Sequence, residues 1–75
     1  NEHKLLLILE WLKSVRDGEI RHVQCKNIQE LIAFIYRSAD NNIRGILTKK
    51  RNSYFVELFL DKHKYYERKR RYLGI

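Results

Sequence analysis

The sequence predicts a small single α+β domain in the order helix, short strand, helix, β-hairpin, helix, with the helices packed on a two- or three-stranded antiparallel sheet. Three observations lead there. Apolar residues recur at helical spacing in two stretches of the first half. Two runs rich in aromatic and β-branched residues flank a polar tetrapeptide in the second half. Helical spacing then returns in the basic stretch that closes the chain.

Glu2 to Arg16 reads as the first helix, because Leu5, Ile8, Leu9, Leu12 and Val15 form one stripe. Asp17-Gly18 supplies its stop. Leu7 and Trp11 widen the stripe on one flank and Leu6 falls nearly opposite it, an arc wide enough for burial against a partner as well as against the domain. Glu19 to Cys25 alternates loosely, which predicts a short strand over Ile20 to Gln24. Asn27 to Ala39 has the strongest helix signature: Asn27 as N-cap, Glu30 three residues on, and a stripe of Ile28, Leu31, Ile32, Ile35 and Ala39.

Asp40-Asn41-Asn42 is a turn cluster. Ile43 to Lys49 and Tyr54 to Leu60 then read as a hairpin around Lys50-Arg51-Asn52-Ser53, with Asn52 suited to a left-handed turn position. Gly45 inside the first of these strands marks a bulge or the close approach of another backbone. Asp61 is the expected N-cap of a last helix running to about Leu73, with Gly74 just past its end. The competing arrangement makes Asn42 to Lys50 a helix. It ranks second, because Gly45 and the Thr48-Lys49-Lys50-Arg51 run are poor helix-interior material.

With 75 residues, of which 44% are apolar, the chain has material for one small core spanning 1–75. Cys25 is the lone cysteine, so no disulfide staples that core, and a single thiol fits a reducing, intracellular setting, cytoplasmic or nuclear. One cysteine and three scattered histidines form no spaced ligand set, so no metal centre and no cofactor are expected. The start at Asn1 and the absence of methionine predict a domain excised from a larger protein. The apolar run Leu5 to Leu9 is broken at Glu10 and Lys13, too short for a membrane span.

Charge is distributed unevenly. Up to Asp40 the chain carries six basic and six acidic residues. From Asn41 onward ten basic residues face only Glu57, Asp61 and Glu67, which accounts for the whole net charge of +7. Positive charge gathered into short clusters points to a polyanion. Arg44 and the tip residues Lys49, Lys50 and Arg51 form one cluster, and Lys64, Arg68, Lys69 and Arg71 on the last helix form the other. Lys64, Arg68 and Arg71 fall at i, i+4, i+7 and so line one helix face. Tyr65, Tyr72 and Leu73 are expected to dock that helix on the sheet; Tyr66 is a core residue or, in the alternative, a base-stacking one. A solvated turn and favourable cations at a helix C-terminus explain some of this charge, but not all of it.

The function expected from these features is non-enzymatic nucleic-acid binding, to DNA or RNA, by contact with the phosphate backbone. No side-chain set for reading bases stands out. The alternative is a protein-interaction or dimerisation module of a larger nucleic-acid-processing protein, with Leu6, Leu7 and Trp11 as a partner or homodimer surface. A metal-dependent nuclease using Glu57 and Asp61 with Lys62 or Lys64 is a weaker reading, because the spacing matches no motif. A membrane-surface role is weak as well, since the last helix offers little apolar area for insertion.

Overall fold

The computed structural model describes residues 2–40 and 42–75. Its elements are α1 (Glu2–Arg16), β1 (Val23–Gln24), β2 (Ile32–Arg37), β3 (Ile43–Lys50), β4 (Ser53–Leu60) and α2 (His63–Leu73). The four strands form one antiparallel meander in the order β1-β2-β3-β4. The α+β class, the hairpin and both terminal helices match the expectation from sequence, while the middle of the chain and the strand count differ.

The expected helix over Asn27 to Ala39 does not form. Residues 26–31 are turns, and Ile32–Arg37 is a strand. The reason lies in where β2 sits. It pairs with β3 along its whole length and with β1 at Ile32 and Ala33, and a helix covers each face of the sheet, so the strand reads as an unbroken apolar run in which helical and strand periods coincide. The β-branched and aromatic content of Ile32-Ala33-Phe34-Ile35-Tyr36 favours the extended form. Pairing Tyr36 with Gly45 and Phe34 with Leu47 sends those rings to one face, while Ala33 and Ile35 go to the other. Asn27 does cap a helix, but not its own. Its carboxamide donates to the Arg71 and Tyr72 carbonyls at 3.1 and 3.2 Å, and its N–H donates to the Leu73 carbonyl, closing the C-terminus of α2. Glu30, instead of completing a capping box, adopts a φ of 63°.

Other boundaries move less. The helix considered for Asn42 to Lys50 is strand β3. At the hairpin tip it is Arg51, with φ 56°, that takes the left-handed position expected of Asn52. Asp61 does not cap α2: it has φ 57°, and the N-cap position falls to Lys62 with no side-chain hydrogen bond. Asn41, in the turn before β3, lies outside the described residues; beside it Asp40 accepts from the Ser38 hydroxyl at 2.6 Å and the Asn42 N–H at 3.1 Å. Gly74 ends α2 at φ 82°, and a Cβ there would sit 2.9 Å from the Asn27 nitrogen, so the joint between α2 and the 26–31 turn requires glycine.

The two helices cover opposite faces of the sheet. α1 lies over Tyr36, Gly45 and Leu47. Trp11 is the wedge: it is buried, its ring stacks on Tyr36 at 5.3 Å, and a Cβ on Gly45 would come within 2.7 Å of it. The glycine thus marks a close approach by a side chain, not a bulge. α2 covers the other face. There Tyr66 and Leu73 join Cys25, Ala33, Ile46 and Phe59 in the main core cluster, with Phe59 meeting the Tyr66 ring edge-on at 5.7 Å. Tyr65 and Tyr72, expected to dock α2, stay exposed.

Candidate nucleic-acid interface

Strand alternation decides where the basic residues of the hairpin point. Lys49 pairs with Tyr54 on the α1 face, and its ammonium lies 5.3 Å from the Tyr54 ring. Lys50 is on the α2 face, and Arg51 stands at the tip. Arg51 reaches Glu30 at 3.7 Å, a weak pair with both side chains largely solvated. That contact brings the tip beside the 26–31 turn, and Asn27 in the same turn holds the C-terminus of α2. Tip and helix terminus therefore lie toward the same end of the molecule.

On α2 the helical period separates two kinds of base. Lys69 and Arg70 lean toward the sheet and are half-buried. The Lys69 ammonium binds the Glu57 carboxylate of β4 at 2.8 Å. Arg44 of β3 is similarly drawn in: its side chain is 11% exposed, it approaches Glu67 at 3.8 Å, and its guanidinium lies 5.1 Å from the Tyr66 ring. Arg70 approaches the same ring at 5.9 Å, so Tyr66 is flanked by two guanidiniums, a cation–π arrangement. The Nε atoms of Arg44 and Arg70 are buried with no hydrogen-bond partner among the described residues. These three bases stabilise the packing of α2 on the sheet.

Lys64, Arg68 and Arg71 occupy the opposite side of α2 and are exposed, as is Lys62 before the helix. Arg68 lies 5.4 Å from the exposed Tyr65 ring. No carboxylate among the described residues pairs with Lys50, Lys62, Lys64, Arg68 or Arg71. Of the three acids in this half, Glu57 and Glu67 are held by Lys69 and Arg44, bases at the joint between α2 and the sheet. These two acids thus offset two of the three bases at the joint between α2 and the sheet, and leave Lys64, Arg68 and Arg71 on the outer face without a carboxylate.

The remaining sequence candidates divide as follows. Trp11 is buried within its own domain, Leu7 is half-buried, and Leu6 is exposed. Glu57 and Asp61, the carboxylates weighed for a nuclease, are not gathered into a site: Glu57 is engaged by Lys69, and no group of three metal-ligating side chains exists among the described residues. Cys25 is buried behind α2, and burial pushes its thiol up, against an opposing pull from Lys69. None of the helices described is long and apolar enough to cross a membrane. Comparison with family models, with curated proteins and with solved structures brings no match for this chain.

Proposed function

We propose that this chain binds the phosphate backbone of nucleic acid, without catalysis, through the outer face of α2 and the hairpin tip. The observation that carries the reading is the uncompensated row of Lys64, Arg68 and Arg71, with Lys50 and Arg51 at the neighbouring tip, while nearby carboxylates are engaged inward. Like charges along one helix face repel, so the folded state carries a cost that a polyanion relieves. Arginine forks suit phosphate oxygens, and lysines add mobile point charges. The helix is about 16 Å long, enough to span several consecutive phosphates. Lys69, Arg44 and Lys49 are left out of the contact set, because each is half-buried against a neighbour within the fold, whereas Arg51 and Arg68 are exposed.

The test is fluorescence anisotropy of labelled duplex DNA, duplex RNA and single strands across a range of salt concentrations. Five phosphate contacts predict a log–log salt slope of about −4 to −5 on duplex DNA. Absence of binding to every one of these ligands at low salt would overturn the reading.

A further inference from the structure

The sheet has two edges, and they are finished differently. The β1 edge is two residues long and sits among Arg21, His22 and Lys26. Short, charged edges are how sheets avoid pairing with other chains. The β4 edge runs for eight residues, Ser53–Leu60, with no proline and no basic residue. Its one acid, Glu57, is already held by Lys69 at 2.8 Å. Among the described residues no strand lies beyond β4, so its outward backbone N–H and C=O groups have no ladder partner there.

The side chains along that edge are apolar on both faces. On the α1 face Tyr54, Val56, Leu58 and Leu60 are exposed. Leu5 and Leu9 extend this surface. They fall in one helical row with Leu12 and Arg16, which border a hollow together with Lys49 and Tyr54 on the β4 side. On the α2 face Phe55 is 60% exposed and shares the Lys69 ammonium with the exposed Tyr72 ring, while the exposed Tyr65 ring lies further along β4, by Glu57 and Phe59. With about 150–250 Å² for each aromatic side chain and somewhat less for leucine and valine, the half-exposed residues of the two faces together leave on the order of 1,000 Å² open along this edge. One side of a stable interface is about 800 Å².

We propose that β4 pairs antiparallel with β4 of a second copy of this chain, joining two four-stranded sheets into one of eight. A two-fold axis suits an antiparallel edge, because the same strand serves as donor and acceptor row on both sides. The charge at the hairpin tips is compatible with this choice. Antiparallel pairing sends the two Lys49-Lys50-Arg51 tips to opposite ends of the shared ladder, about 27 Å apart for eight residues. That separation exceeds the Debye length of about 8 Å at physiological salt, so the tips do not oppose assembly. Placing Glu57 against its own copy is disfavoured, which puts the axis beside Val56 or Leu58. On the α1 face Leu5 and Leu9 of each copy then flank the seam, and on the α2 face Tyr65 and Tyr72 do. This inference is independent of nucleic-acid binding.

Sedimentation of the chain alone, without nucleic acid, tests it. The expected mass is twice the 9.2 kDa of one chain, and the thermal midpoint rises with protein concentration. Val56→Lys and Leu58→Lys each place a charge at the seam twice over, and each raises the dimer dissociation constant by about 100-fold or more with the circular dichroism spectrum unchanged. Leu6→Glu, on the far side of α1, and Val23→Lys, on the β1 edge, leave the dimer intact. A single-chain mass and a concentration-independent midpoint for the unmodified chain would overturn the proposal, whether or not the lysine variants fold. So would a dimer that survives both lysine variants and dissolves in Leu6→Glu.

Discussion

The two faces of the sheet are packed by opposite means. On the α1 face a single large ring, Trp11, fills the space that Gly45 leaves, and the contact is apolar apart from the indole nitrogen. On the α2 face the ring of Tyr66 is enclosed by Phe59 and by the guanidiniums of Arg44 and Arg70, with Lys69 bridging to Glu57 nearby. The α1 face holds by shape; the α2 face holds by shape together with charge. Two of the three basic residues that pack α2 on the sheet, Arg44 and Lys69, engage Glu67 and Glu57, so neither acid pairs with the bases on the exposed face of α2. A strongly basic surface therefore arises from pairing on its inner side.

Breaking the α1 face gives the largest expected effect. At fixed protein concentration, Trp11→Ala lowers stability by about 3–5 kcal/mol in chemical denaturation. Gly45→Ala drives a methyl against the indole and costs about 1–3 kcal/mol. In the Trp11→Ala background that second penalty falls away. An equal penalty in both backgrounds would mean that the close approach to Trp11 is not why glycine stands there.

Changing the α2 face does less to stability and more to charge. Glu57→Gln removes the carboxylate from Lys69 and lowers stability by about 1 kcal/mol or less, because both side chains are partly solvated. It also frees a positive charge beside α2, so affinity for a polyanion rises, most at low salt. Unchanged affinity at low salt would separate Lys69 from the binding surface.

The smallest effect belongs to the turn before β3, outside both faces. The Ser38 hydroxyl and then the Asn42 N–H hold the Asp40 carboxyl below its ordinary range. A lowered folded-state pKa stabilises above the ordinary carboxylate value, and the gain is lost as pH falls through the lowered one. Asp40→Asn therefore lowers the thermal midpoint slightly at neutral pH, and the gap between variant and parent closes on acidification below about pH 4. A gap that widens with acid would contradict the assignment.

Both helices at the ends of the chain and the hairpin were legible because each shows one clear period and a recognisable stop, Gly18 after α1 and Gly74 after α2. Residues 27–39 were not, because Ile28, Leu31, Ile32 and Ile35 satisfy a helical stripe while Ile32 to Tyr36 satisfies a strand with apolar residues on both faces. Only the pairing with β3 decides between them. Asn27 illustrates the same limit: its capping chemistry was visible, but its target, a helix 44 residues further on, was not. For the candidate site, the spacing of Lys64, Arg68 and Arg71 placed them on one face from sequence alone. What sequence could not supply was the partition of the acids, since Arg44 with Glu67 and Lys69 with Glu57 are long-range pairs set by the sheet. Strand alternation would have separated Lys49 from Lys50, and that signal was present.

The most direct test of the division between inward and outward charge is the salt slope of nucleic-acid binding in Lys64→Gln/Arg68→Gln/Arg71→Gln, compared with the parent chain. Removing three outward bases leaves Lys50 and Arg51, so the slope on duplex DNA falls from about −4 to −5 to about −2, while the thermal midpoint holds. A slope unchanged in the triple variant would contradict the account and move the contacts to another surface of the molecule.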